Sequence, residues 1–141
     1  MKRIISGSWA TKWDDFALLF LRVATGLVFF MHGWQKYQGG IDGTSAFLAS
    51  LQFPIPDIFA VLLIAIEVIG GAALILGAFT RLAAKLTGIV AIVALLVVHV
   101  DKGFFISAGG YEFILLILAA CVALLVLGGG KWSADHRFLK I

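Results

Sequence analysis

Four apolar stretches run along this chain: Phe16 to about Gly33, Ile58 to Phe79, Leu82 to Val100, and Tyr111 to Leu127. Each is close to the ~20 residues a helix needs to cross a bilayer. Turn-forming breaks separate them: Gly39-Gly40, Pro54 and Pro56, Thr80-Arg81, Gly109-Gly110 and Gly128-Gly129-Gly130. The longest connection, Gly33 to Asp57, contains TSAFLASLQF, which reads as a short helix capped at Thr44. Phe47, Leu48 and Leu51 share one side of it, so it is expected to lie along the membrane interface as a lid over the helix ends.

Composition agrees with that pattern. Of 141 residues, 62% are hydrophobic and 13% charged, and the mean hydropathy is +1.06. A soluble domain has about 45–50% apolar and about 25% charged residues. Four spans of about 20 residues use about 80 positions, which leaves no room for a separate soluble domain. The expectation is one membrane domain over residues 1–141. MKRIISGSWATKWDD lacks an apolar core followed by a small-residue cleavage site, so it is not read as a signal peptide.

Charge sets the expected orientation. Lys2, Arg3, Lys12, Arg81, Lys85, Lys131, Arg137 and Lys140 lie in the tails and the middle loop, whereas only Lys36 and Lys102 lie in the other two loops. The positive-inside rule then places both termini in the cytoplasm. The fold class is an all-α, N-in/C-in four-helix bundle with a short interfacial helix in its first outer loop. The net charge of +3 does not mark a nucleic-acid binder, because the basic residues are scattered at span ends and form no contiguous face.

Helical periodicity places ionisable groups beside small residues. Arg22, Gly26, Phe29 and Gly33 share a stripe, with Lys36 beside it and His32 further round. Glu67 shares a face with Gly70, Gly71 and Leu74; His99 with Ile92 and Gly88; and Glu112 with Ala119 and Ala123. Small residues admit close helix approach, so these faces are expected to look inward. Cys121 falls opposite Glu112, as a lipid-facing or packing residue. Arg22 is expected to snorkel toward the cytoplasmic headgroups.

His32, Lys36, His99 and Glu112 therefore converge on the outer half of the bundle, with Trp34 and Tyr111 nearby. Glu67 lies about 13 Å into its span. A carboxylate at such depth is either protonated or paired, and Lys36, His32 and His99 are its available partners. The candidate catalytic residues are Glu67, His32, His99 and Glu112; the candidate ligand-binding residues are His32, Trp34, Lys36, Glu67 and Tyr111. No zinc-type Cys/His cluster, phosphate loop or dinucleotide fingerprint is present, and one cysteine excludes an internal dithiol. Two histidines on facing helices are also the ligand type for a haem, but nothing else in the chain supports one.

Four segments then carry a resemblance: GLVFFMHGWQKY (26–37), EVIGGAALILGAFTRLAAK (67–85), GFFISAGGYEF (103–113) and GGGKWSAD (128–135). In this order the chain resembles the DoxX family, most specifically in His32-Gly-x-x-Lys36 and Glu67-x-x-Gly-Gly…Thr80-Arg81. The resemblance implies a small four-helix inner-membrane protein of bacteria or archaea. The family name comes from a membrane subunit of a thiosulfate:quinone oxidoreductase, and its members are associated with quinones and oxidative stress. The family's polar positions fall on His32, Lys36, Glu67, Arg81, His99 and Glu112. Phe113 stands where the family often has tyrosine, and Trp132-Ser133-Ala134-Asp135 where Ser-Leu-Asp is usual. Three functions fit: a quinone-linked redox subunit served by a soluble redox partner, a non-catalytic anchor or assembly subunit, and a dimeric proton-coupled transporter using Glu67.

Overall fold

The computed structural model describes residues 13–140. The basic residues Lys2, Arg3 and Lys12 of the orientation argument, and the start of the chain read for a signal peptide, lie outside them. Among the described residues the longer helices are α1 (Asp14–Gln38), α2 (Ile41–Ser50), α3 (Pro56–Leu76), α4 (Thr80–Lys102) and α5 (Glu112–Leu127), with short helical turns at Ile106–Ala108 and Asp135–Leu139. No strand occurs among the described residues. By length and composition α1, α3 and α4 can each cross a membrane. α5 is as apolar but shorter, at 16 residues, or about 24 Å.

Local sequence explains the ends. α1 runs through His32-Gly-Trp-Gln-Lys36, past the expected limit at Gly33, because nothing breaks the helix before Gly39-Gly40. Gly40 then takes a positive φ of 85°, and α2 starts at Ile41. This corrects the start expected at Thr44, which is instead buried in the second turn of α2. α3 stops at Leu76 because Gly77 is left-handed, φ 68°. α4 starts two residues before the expected boundary, and its first turn is held by a carboxylate from far along the chain, described below.

The α1–α3 contact is built on glycine. A Cβ on Gly71 would lie 2.5 Å from the Phe30 nitrogen and 2.8 Å from the Gly26 oxygen; one on Gly33 would lie 2.7 Å from the Cβ of Glu67. The two backbones therefore touch, as small residues allow where lipid supplies no hydrophobic drive between helices. α4 packs chiefly on α5 and, lower down, on α3. The core comprises Phe29, Leu74, Ala83, Ala84, Ala91, Ile117, Cys121 and Leu124.

Two expected faces are corrected. On α5 the buried stripe is Ile117, Cys121 and Leu124, while Ala119 is exposed. Cys121 packs inward because α4 offers it a shallow seat: the Cβ position of Gly88 is 3.4 Å from its Cβ, and the Thr87 hydroxyl is 3.7 Å from its sulfur. A thiol behaves as a small hydrophobe and fills that seat. On α4, likewise, Ile92 faces out and Ala83, Ala84, Thr87, Gly88 and Ala91 face in.

Outward side chains are as apolar as inward ones. Phe20, Ile69, Leu116 and Leu76 are each 65–70% exposed. A belt of large exposed apolar residues around a core rich in alanine and glycine suits a lipid surround rather than water.

Gly71→Ala should destabilise the fold by about 1–3 kcal/mol, the usual cost of forcing atoms into a filled contact. Gly43→Ala, in a helix with open space around it, should be neutral or stabilising. Thermal unfolding in detergent followed by circular dichroism distinguishes them, and equal melting temperatures would refute the glycine contact.

Candidate functional site

Glu67 lies near the middle of α3, on a widened π-type turn at Ile66–Gly70. Such turns insert a residue, rotate the side chains beyond it and recur at functional sites. Across the glycine contact stands the last turn of α1. Lys36 Nζ donates to both carboxylate oxygens of Glu67, at 2.9 and 2.7 Å. The Glu67 side chain is 7% exposed and that of Lys36 27%. Of the three partners open to Glu67, lysine is the one in contact. Each ion would be costly alone at this depth, and the two-pronged hydrogen bond offsets the desolvation of both.

One turn before Lys36 is His32, whose Nδ1 lies 2.8 Å from the Val28 carbonyl. His99 ends a second π-type turn, Leu95–His99, and its Nδ1 lies 2.7 Å from the Gly109 carbonyl. A carbonyl oxygen can only accept, so in both rings Nδ1 carries the proton. The Nε2 atoms have no partner among the described residues and are the ring positions left for a ligand.

These four side chains border one cavity of about 510 Å³, within the range of small-molecule sites. Among the described residues they are its only polar side chains; the remaining lining is apolar apart from backbone, including Phe29, Ile66, Val90 and Ile117. The structure thus brings together His32, Lys36, Glu67 and His99. Glu112, Trp34 and Tyr111 do not line the cavity. Glu112 turns back to accept the Ile106 N–H at 2.7 Å. Trp34 stacks on Phe30 and leans on Tyr37, and Tyr111 lies edge-on to Phe104.

Two segments roof the cavity. α2 supplies Phe47 and Leu48, and the 103–110 loop supplies Ile106, Gly109 and Gly110. The hydroxyl of Ser45 donates to the carboxylate of Asp57, tying α2 to the first turn of α3. Gly110 packs so tightly on the chain that a Cβ there would lie 2.2 Å from the Gly103 oxygen.

The opposite end carries a different set of charges. Arg22 is 2% exposed and does not snorkel. Its guanidinium donates to the carbonyls of Leu74 (3.1 Å), Ile75 (2.5 Å) and Trp132 (2.6 Å). It thereby satisfies the last carbonyls of α3 and pins the tail. Arg81 does the same for α5 through Leu125 and Val126. Asp135 accepts the N–H groups of Phe79 (2.5 Å) and Thr80 (2.8 Å), capping α4. Sequence reasoning missed Asp135 as a cap, although GGGKWSAD had been singled out, because the segment folds back across more than fifty residues to reach α4.

With this geometry in place, comparison with known proteins is informative. A multi-pass helical membrane protein with a polar cluster in an apolar cavity is the class the fold defines, and the DoxX family model matches residues 17–100. The chain is 34% identical over 126 residues to the protein named "Putative oxidoreductase CatD" of Bacillus subtilis, covering 89% of this chain and 90% of that one. It is 30% identical to an uncharacterized protein of Haemophilus influenzae over 92% and 96% of the two chains. It is also 39% identical over 64 residues to "Inner membrane protein YphA" of Escherichia coli, 45% of each. No solved structure matches. The chain belongs to the DoxX family.

Removing one member of the buried pair strands the other. Lys36→Met and Glu67→Gln should each destabilise by about 3–5 kcal/mol, whereas the double variant should recover part of that loss. Unfolding of the four proteins in a double-mutant cycle measures the coupling. Strict additivity would show that the pair does not act as a unit.

Proposed function

We propose that this chain crosses the bacterial inner membrane four times as a bundle, with both termini in the cytoplasm, and binds a quinone in its cavity as the membrane subunit of a quinone-linked oxidoreductase. One observation carries the reading: a polar cluster of one ion pair and two imidazoles sits in an otherwise apolar cavity of about 510 Å³. A quinone has the matching form, with two carbonyls on a flat apolar ring and an apolar tail. The names of the Bacillus and Escherichia relatives, "Putative oxidoreductase CatD" and "Inner membrane protein YphA", support it. The excess of basic residues in the tails and middle loop supports the orientation.

Each residue then has a role. Lys36 is the cationic donor available to a carbonyl oxygen, and Glu67 holds its Nζ at the cavity wall. His32 and His99, with Nδ1–H fixed by backbone carbonyls, take up and release protons at Nε2. Quinone reduction consumes two electrons and two protons. With Cys121 as its only cysteine, the chain has no dithiol to supply those electrons, so a soluble redox partner does.

A second reading, as a docking subunit for such an enzyme, is favoured by the tail. Trp132 and Phe138 stand exposed beside Lys131 and Arg137, on a segment pinned by Arg22 and by the Asp15–Lys131 ion pair at 3.3 Å.

Titrating decylubiquinone against tryptophan fluorescence of the purified protein in detergent tests the first reading. Saturable binding is expected, weakened at least about tenfold in Glu67→Gln and His32→Ala, as for loss of a charge-assisted hydrogen bond. Absence of binding by a folded wild type would remove the quinone reading and leave the docking reading in front.

A further inference from the structure

We infer that the cavity loads sideways from the lipid, through a gap between the outer halves of α3 and α4, and that its ligand is a membrane-dissolved molecule with an apolar chain rather than a water-soluble solute. This rests on reading the cavity as a ligand site, and it adds the route and the physical class of what enters.

Packing shows where the wall is incomplete. The first half of α3, Pro56–Ala65, packs on α1 and α2, and substantial packing of α3 on α4 begins only at Ile66–Gly70. The last turns of α4, Leu95–His99, pack extensively on no other helix and are tied to the roof through His99 and the Gly109 carbonyl. Above the level of Glu67, therefore, α3 and α4 diverge. Phe59 and Leu62 on α3 and Ile89, Val93 and Val97 on α4 each line the cavity and yet are roughly 40–50% exposed. Phe47 and Ile106 of the roof and Phe113 of α5 are similarly exposed, so what distinguishes these five is that the helices carrying them lack substantial packing on one another at this level. On the opposite walls, Phe29 of α1 and Ile117 of α5 line the same cavity while being buried.

The alternative route, from water, is roofed by α2 and the 103–110 loop. Both are anchored: α2 by the Ser45–Asp57 hydrogen bond, and the loop by the Gly103 carbonyl accepting the Tyr111 N–H, the Phe104 carbonyl accepting the Glu112 N–H, and the Glu112 side chain. The chemistry of the gap agrees with the route. Its five residues are wholly apolar, as a passage to hydrocarbon requires. The four polar groups border the same cavity, where an entering head group would meet Lys36 and the imidazoles while its chain trailed between α3 and α4.

The test needs no assumption about the head group. The full-length protein is reconstituted in phosphatidylcholine vesicles containing a phosphatidylcholine with a diazirine in its acyl chain, irradiated, and mapped by peptide mass spectrometry. Labelling is expected at Phe29 and Ile117, buried residues that acyl chains reach only through the gap. It should fall several-fold in the double variant Leu62→Trp/Val97→Trp and rise in Leu62→Ala/Val97→Ala. Labelling of the outward-facing Ile69 and Leu116 should stay constant in all three proteins and reports that each is folded. Unlabelled Phe29 and Ile117 in the wild type, or labelling indifferent to both variants, would overturn the proposal. Adding decylubiquinone tests the quinone reading separately: suppression of the Phe29 label supports it, and failure to suppress counts against it while leaving the lateral route standing.

Discussion

The touching backbones of α1 and α3 are the constraint on which the rest of the molecule depends. Gly26, Gly33 and Gly71 remove the side chains that would hold the two helices apart. Only because Gly33 presses on the Cβ of Glu67 can Lys36, one turn further along α1, place its Nζ on that carboxylate. The causal order runs from missing side chains to close packing to an ion pair whose carboxylate is buried. A larger residue at any of these glycines would disturb stability and the polar cluster together.

The charged residues divide into two populations with different work. At the tail end, Arg22, Arg81 and Asp135 spend their hydrogen bonds on helix termini: the last carbonyls of α3 and α5 and the first N–H groups of α4. Each charge also has the sign that the helix dipole favours at that position. Every hydrogen bond these three side chains make goes to backbone, although the Arg22 Nε is left buried without a partner. At the other end, Lys36, Glu67, His32 and His99 satisfy only part of their capacity within the protein. Lys36 has a third N–H, and each imidazole has its Nε2. Charges bonded to helix ends hold the fold; charges with capacity left over beside a cavity are placed to meet a ligand.

Much of this was legible in the sequence. The stripe Arg22, Gly26, Phe29, Gly33 and the face Glu67, Gly70, Gly71, Leu74 follow from helical periodicity and are the buried faces observed. That Glu67 needed a partner followed from the cost of its charge; that the partner is Lys36 did not, because three candidates lay at similar depth. The side chosen by α5 was illegible for a related reason. Its sequence is apolar all round, so periodicity alone carried little information, and the seat beside Thr87 and Gly88 decided the matter. The π-type turns at Ile66–Gly70 and Leu95–His99 leave no compositional mark. The Asp135 cap depends on a chain reversal that no local pattern encodes.

Those two π-type turns bear on how the site is assembled. One carries Glu67 and the other ends in His99, so two of the four polar groups stand where helical hydrogen bonding is locally widened. A regular helix commits every interior carbonyl to its own ladder and repeats side-chain directions every 3.6 residues. A π-type turn shifts that register by one residue and turns the remainder of the helix relative to the part before it. In α3 the shift falls where contact with α2 gives way to contact with α4, while contact with α1 continues on both sides of it. In α4 it falls beyond the last residues packed on α3 and brings His99 to the Gly109 carbonyl in the roof. The same local device thus sets the lower limit of the opening and ties the outer end of α4 to the roof. A cavity thus forms beside two helices that remain continuous, with no break in either.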